Sequence, residues 1–173
     1  PSALVLEEIL AGVNCVTNYD GVGHAIDVAS RLNPSLVADG ASISYSLDPT
    51  HEPFTTTNPV FTNVVSTSVW YRIVSANFAS FTTNALLVIA PRPITLAAPT
   101  RSKPYDGTPL TFNAADIAVG GDGYAPGERF DYLDFARITD VGESPATFTY
   151  RDSATAKVSN YAVTVVGGRT LTV

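Results

Sequence analysis

Residue types that usually carry catalysis are scarce in this chain of 173 residues, which contains two histidines, one cysteine and no methionine. His24 and His51 lie in polar surroundings. Neither belongs to a motif that pairs a base with a nucleophile. We expect both to be exposed and idle. Because no Gly-x-Ser-x-Gly sequence occurs either, we predict that the chain is not an enzyme.

Acidic residues offer a second kind of chemistry. Asp131 and Asp134 could act as an acid and a base, but two acids beside a loop are more often solvated surface. The stretch "VGGDGYAPGERFD", which begins at Val119, is Gly-rich and acidic. It has one Asp where an EF-hand loop for calcium requires three. We therefore expect solvated acids and a flexible turn, with no metal and no cofactor.

Composition limits the class of protein. The chain is 45% hydrophobic and 15% charged, and it has no apolar run near the roughly 20 residues that a membrane span requires. Its net charge of −6 opposes binding to nucleic acid, which calls for a basic face. Cys15 has no second cysteine as a partner, so we expect a buried, inert thiol.

Most of the chain shows the period-two alternation of half-buried β-strands. In "ASISYSL", Ile43, Tyr45 and Leu47 fall on one face and three serines on the other. The segments "SVWYRIV", "ATFTYR", "YAVTVV" and "RTLTV" alternate in the same way. Clusters of Gly, Pro, Asn and Asp separate them, as in a β-sandwich. The predicted fold class is all-β.

The tripeptide Tyr-Asp-Gly occurs twice, and Tyr105 follows Tyr19 by 86 residues. Other pairs recur at offsets of 79, 83 and 84 residues, namely Tyr71-Arg72 with Tyr150-Arg151, Asn77-Phe78 with Asn160-Tyr161, and "ALLVI" with "RTLTV". We therefore predict two tandem units, residues 1–90 (unit 1) and residues 91–173 (unit 2). Prolines in the linker Ala90-Pro91-Arg92-Pro93 favour extended backbone.

One segment gives conflicting signals. "ALVLEEILAGV" has apolar residues at helical spacing, with Gly12 where a helix would end. Counting back from each Tyr-Asp-Gly, however, aligns "LEEILAGVNCVTNYDG" with "RPITLAAPTRSKPYDG" without a gap. The second stretch begins with proline and β-branched residues, so the repeat predicts a strand in both.

Asp-Gly between β-rich stretches indicates a turn. Asp bonds the backbone nearby, and Gly adopts positive φ without steric cost. A preceding Tyr can anchor the turn to the end of a sandwich. We assign two structural turns on this basis, formed by Tyr19, Asp20 and Gly21 and by Tyr105, Asp106 and Gly107.

Unit 2 resembles a known kind of repeat. Its "RPITL", "KPYDGTPLTF", "TDVGESPATFTYR" and "VSNYAVTVVGGRTLTV" are similar to the Tyr-Asp-Gly (YDG/MBG-type) immunoglobulin-like repeats of bacterial cell-surface, adhesin-like proteins. Unit 1, with "YDGVGHAIDV" and "VWYRIVSANF", resembles a diverged relative. The resemblance implies two tandem immunoglobulin-like β-sandwich domains. It also implies an extracellular or cell-surface location and a monomer whose partners are neighbouring repeats of the same polypeptide.

The resemblance implies a structural spacer or stalk, with no catalytic residues to transfer. The alternative is an adhesin module that binds glycan or a host or matrix protein through its end loops. Trp70, Tyr124 and Tyr132 are the candidate stacking surfaces. Trp70 alternates with Val69 and Tyr71, and the period alone leaves open which face is core.

Some surface sandwich domains carry a Lys-Asn isopeptide bond, and unit 2 has Lys103 and Asn160. The position that matches Lys103 in unit 1 is Thr17. We therefore expect Lys103 to be an ordinary surface lysine.

Overall fold

The computed structural model describes residues 13–48, 50 and 52–173. The chain divides into two compact units, Pro1–Ala90 (unit 1) and Pro91–Val173 (unit 2). Both are built mainly from β-strands, so the fold is all-β. Within the described ranges, no helix is long and apolar enough to cross a bilayer. His51 and the strand predicted in residues 6–11 fall outside the described residues.

The described strands of unit 1 form one mixed sheet in the spatial order β1-β4-β3-β2. These strands are β1 (Cys15–Asn18), β2 (Ser42–Ser46), β3 (Val65–Val74) and β4 (Phe81–Ala90). Strand β1 runs parallel to β4, whereas β3 is antiparallel to both of its neighbours. A 3₁₀ turn at Ala29–Arg31 and a helix α1 at Pro34–Ala38 lie between β1 and β2 in the sequence.

Helix α1 was not predicted from the alternation. The Asn33 side chain caps it by accepting the N–H of Ser35 at 2.9 Å, and Pro34 stands in the first turn, where a missing N–H costs little. Gly40, with φ of 69°, follows the last turn as a left-handed terminator. The helix contributes Leu36 to the core, where it is fully buried.

One face of the unit 1 sheet is core. Val69, Tyr71 and Ile73 of β3 are almost completely buried, so the other face carries Trp70, which is half-buried. This settles which side of β3 packs inward. Other buried residues of this core are Ala85, Leu87 and Ile89 of β4, together with Ile26, Val28 and Leu36 from the segment between β1 and β2.

The predicted faces of β2 are wrong at its end. Tyr45 is buried as expected, but Ser46 is 6% exposed and Leu47 is 51% exposed. The strand stops at Ser46, whose hydroxyl accepts the N–H of Asp48 at 3.1 Å. The chain turns there, so the alternation of the strand no longer determines where Leu47 points.

Unit 2 is divided into smaller sheets. Its described strands are β5 (Arg92–Ala97), β6 (Arg101–Ser102), β7 (Leu110–Thr111), β8 (Ala118–Gly121), β9 (Asp131–Leu133), β10 (Arg137–Ile138), β11 (Glu143–Pro145), β12 (Thr149–Arg151), β13 (Tyr161–Val166) and β14 (Thr170–Thr172). They pair as β13-β5-β8, β11-β14-β6, β12-β9 and β10-β7. Short 3₁₀ turns cover Ala114–Asp116 and Val158–Asn160.

The core of unit 2 combines aliphatic residues with an aromatic cluster. Ile94, Leu96 and Leu171 are fully buried. The ring of Tyr161 meets Phe130 edge-on at 5.2 Å and Tyr124 at 5.6 Å. Such edge-to-face pairs stabilise a core beyond the area that they bury.

The two units share the register of a parallel strand pair. In unit 1, Cys15 of β1 lies opposite Leu87 of β4. In unit 2, Arg101 of β6 lies opposite Leu171 of β14. The partners correspond at the sequence offsets of 86 and 84 residues, so the same positions are paired in both units.

An antiparallel pair also recurs. Tyr45 of β2 faces Tyr71 of β3, and Tyr132 of β9 faces Tyr150 of β12. Tyr150 is the residue that the sequence alignment matched with Tyr71. The long strand β3 of unit 1 thus occupies the place that two short strands, β11 and β12, occupy in unit 2.

Candidate functional site: the Tyr-Asp-Gly turns and the terminal strand pairs

The first Tyr-Asp-Gly sequence lies directly after β1. Asp20 Oδ1 accepts the backbone N–H of Val22 at 3.1 Å, which closes a local side-chain-to-backbone turn. Gly21 has φ of 84°, a left-handed conformation that favours glycine. The preceding Tyr19 is 4% exposed, so its ring is packed as the anchoring interpretation expects.

The second Tyr-Asp-Gly sequence has the same local geometry. Asp106 Oδ1 accepts the N–H of Thr108 at 2.9 Å, and Gly107 has φ of 75°. The ring before it differs, because Tyr105 is 61% exposed. The expected anchoring role of the tyrosine is therefore wrong for Tyr105: its ring faces solvent in the described structure.

A different basic side chain contacts each turn aspartate. In unit 1, His24 Nε2 lies 2.9 Å from Asp20 Oδ1. In unit 2, Lys103 Nζ lies 2.5 Å from Asp106 Oδ1 and also donates to the carbonyl of Thr108 at 2.6 Å. The contacting side chain follows the tripeptide in unit 1 and precedes it in unit 2.

These contacts stabilise the ionised aspartates. The hydrogen bond from His24 lowers the pKa of Asp20 below its ordinary value. The hydrogen bond from Lys103, with those from the Thr108 hydroxyl and N–H, lowers the pKa of Asp106 well below its ordinary value. Hydrogen bonds to a carboxylate favour its charged form. The two carboxylates therefore stay ionised and hold their turns.

Each turn lies beside the end of a parallel strand pair. In unit 1, the Tyr19 N–H donates to the Ala90 carbonyl at 2.8 Å, which extends the β1–β4 ladder by one step. In unit 2, the Lys103 N–H donates to the Thr172 carbonyl at 3.1 Å and extends the β6–β14 ladder. The turns are thus positioned by the first and last strands of these sheets.

Two expectations about single side chains are wrong. His24 is not an exposed, idle residue, since its side chain is 21% exposed and contacts Asp20. Cys15 is half-buried rather than buried. The signal for His24 was its position four residues after Asp20, which a turn between the two brings within reach.

The predicted stacking residues of unit 2 lie in its aromatic cluster. Tyr132 is buried, and its hydroxyl lies 2.6 Å from that of Tyr124, which is half-buried. Burial and this hydrogen bond raise the pKa of Tyr132. Burial leaves the Tyr132 ring without an open face of the kind that the adhesin alternative requires.

The acidic and Gly-rich candidates form local structure. Asp131 pairs with Arg151 at 3.7 Å, and Asp134 accepts the Thr149 hydroxyl at 2.6 Å. In the Gly-rich stretch, the carbonyls of Asp122 and Gly123 accept hydrogen bonds from Arg92. Within the residues that the structure describes, no group of three or more His, Cys, Asp or Glu side chains forms a metal site.

Comparison with known proteins leaves the family open. No family model matches the chain, and no curated protein matches it. A solved structure of SGBP-B from a mixed-linkage glucan utilization locus of Bacteroides ovatus, in complex with a mixed-linkage heptasaccharide, is similar at 10% identity and a TM-score of 0.31. The match covers 91% of this chain and 42% of that one.

Proposed function

We propose that the chain is a pair of immunoglobulin-like repeats of the Tyr-Asp-Gly type, which serve as a mechanical spacer in a longer bacterial surface or secreted protein. In this role the chain is a monomer without a catalytic site, and its partners are neighbouring repeats of the same polypeptide. The equal register of Cys15 with Leu87 and of Arg101 with Leu171 supports two copies of one fold.

The observation that carries the spacer role is the parallel pairing of an early strand with the last strand in each unit. Strand β1 runs parallel to β4, and β6 runs parallel to β14. Two adjacent parallel strands point the same way. The chain therefore enters such a pair at one end of the unit and leaves at the opposite end, so each unit adds length between its neighbours.

The same geometry resists tension. When a unit is pulled through its ends, the two parallel strands are drawn in opposite directions along their own axes. The backbone hydrogen bonds between them are then loaded together in shear instead of opening one at a time. In unit 1 this ladder has four paired positions from Cys15 to Asn18 and one further bond from Tyr19.

Single-molecule stretching tests this proposal with a matched pair of variants. Donors on one strand of a parallel pair recur at every second residue. Because the Tyr19 N–H faces β4, the Thr17 N–H faces β4 as well and the Asn18 N–H faces away. We expect Thr17→Pro to lower the unfolding force of unit 1 clearly, since proline removes a donor from the ladder.

Asn18→Pro is the control, because unit 2 already has Pro104 at the matching position. Its unfolding force should stay close to that of the parent chain. Equal unfolding forces for Thr17→Pro and the parent chain would refute the mechanical role of the β1–β4 pair.

Binding experiments separate the spacer from the adhesin alternative. The intact chain on glycan and matrix-protein arrays should give no saturable signal. A saturable signal that disappears when Tyr105 is changed to Ala would replace the spacer proposal with a binding function, because Tyr105 is the exposed aromatic residue at a turn of unit 2.

A further inference from the structure

Two matched positions differ between the units. Tyr19 is 4% exposed and its N–H is bonded to the Ala90 carbonyl, whereas Tyr105 is 61% exposed. Residues of β6 follow their counterparts in β1 by 86 residues, and residues of β14 follow their counterparts in β4 by 84 residues. The acceptor that would match Ala90 therefore stands one position beyond Val173. The Tyr105 ring and N–H flank this position from one side.

A second apolar residue flanks the same position. Val173 and Gly142 exchange backbone hydrogen bonds of 3.0 Å in both directions, so the next antiparallel step would face Val141. Val141 is 75% exposed. In unit 1, Val65 pairs with Ile89 in the same way as Gly142 pairs with Val173 in unit 2. The counterpart of Val141 is therefore Val64, which is half-buried.

Residue types along β6 fit a ladder that continues. Lys103 donates its N–H to the Thr172 carbonyl, and donors toward a parallel neighbour recur at every second residue. The next donor in this direction is Tyr105. Pro104, which has no N–H, occupies the position whose donor would face away, so the proline does not interrupt the ladder.

We propose that Tyr105 and Val141 border a docking edge for an extended segment that continues β14 and has the chemistry of Ala90-Pro91-Arg92-Pro93. Its first carbonyl accepts the Tyr105 N–H, and its small apolar first residue lies between the two exposed side chains. The proposal rests on the proposed function, in which the two units are copies of one fold. In that function, this edge is where unit 2 contacts the segment that leads to a neighbouring repeat.

The test extends the chain after Val173 with a copy of residues 90–96, Ala-Pro-Arg-Pro-Ile-Thr-Leu. The control carries a Gly-Ser tail of equal length. With the copied tail, we expect amide exchange at Tyr105 to slow by about tenfold or more, as for an amide that enters a ladder. Nitration of the Tyr105 ring should slow as well, whereas Tyr19 serves as an internal reference.

Val141→Asp tests the apolar side of the edge. Because Val141 is exposed, this change should leave the fold of the chain without a tail intact, and it should restore fast exchange at Tyr105 when the copied tail is present. Equal exchange and nitration of Tyr105 with both tails would overturn the proposal. That result would leave the spacer role standing, since the stretching test on β1 and β4 involves no added segment.

Discussion

The hydroxyl of Tyr161 accepts a hydrogen bond of 3.0 Å from the backbone N–H of the buried residue Ala125. The same hydroxyl donates to Glu128 Oε2 at 2.5 Å. This side chain therefore satisfies a buried backbone donor at the turn that precedes β9. A buried donor that loses its acceptor is costly, because folding has already removed it from water.

We expect Tyr161→Phe to lower the free energy of unfolding of unit 2 by about 1–3 kcal/mol. Tyr150→Phe is the matched control. The Tyr150 ring stacks on Phe130, and its hydroxyl has no hydrogen-bond partner among the described residues, so this change should have little effect. Urea titration followed by NMR signals of unit 2 measures both. Equal losses would show that the hydroxyl of Tyr161 has no special role.

Replacing Gly107 tests the turn itself. Gly107 has φ of 75°, and a Cβ there would meet no atom within 4 Å. A larger side chain at position 107 would therefore be opposed by the left-handed backbone conformation and not by contact with neighbouring atoms. Gly107→Val should destabilise unit 2 by about 1–2 kcal/mol, whereas Gly107→Asn should cost less because Asn tolerates this region. An unchanged melting temperature for Gly107→Val would contradict the structural role of the turn.

The lowered pKa of Asp106 predicts a dependence of stability on pH. Because its folded-state pKa lies below the ordinary value of 3.8, its ionised form stabilises unit 2. This contribution is fully present above about pH 4 and is lost as the pH falls through the folded-state pKa.

Asp106→Asn should therefore lower the urea midpoint of unit 2 at about pH 6 and reduce its further loss on acidification to about pH 2.5. Lys103→Ala should lower the midpoint at the higher pH as well, because it removes the cation that contacts Asp106. This role of the carboxylate would be refuted if the urea midpoint of unit 2 changed with pH in the same way in the parent chain and in Asp106→Asn.

Leu87 provides a test of the shared core. Its side chain is fully buried, and the neighbouring Leu86 is exposed. Leu87→Ala should destabilise unit 1 by about 2–5 kcal/mol, as expected for a cavity in a packed core. Leu86→Ala should cost much less. The chain has a single tryptophan, Trp70, so its fluorescence reports the unfolding of unit 1 separately from unit 2.

Periodicity and the repeat predicted much of the strand content. The all-β class and the strands around Tyr45, Tyr71 and Leu171 followed from alternation of apolar and polar residues. The ends of the strands could not be predicted in this way. The turn after β2, for example, is closed by a hydrogen bond from the Asp48 N–H to the Ser46 hydroxyl, and the pattern of apolar residues does not indicate that bond. Helix α1 was missed, although Asn33, Pro34 and Gly40 are the residues expected at its ends.

The turns were predictable and their partners were not. Asp20 and Asp106 were assigned to turns because Asp-Gly has a local mechanism. The side chains that contact them are His24, four residues after Asp20, and Lys103, three residues before Asp106. No fixed spacing describes both. Tyr19 is buried and Tyr105 is exposed. This difference depends on the residues next to the end of each parallel strand pair, and the tripeptide sequence does not specify them.

Strand β13 has a consequence for how unit 2 behaves at high protein concentration. It pairs with β5 on one side, and among the described strands no other lies along its second edge. Residues 162–166 read Ala-Val-Thr-Val-Val, with no charge and no proline. Such an edge is a template for association with strands of other molecules and for aggregation. Unit 1 lacks this hazard at β4, which has β1 on one side and β3 on the other.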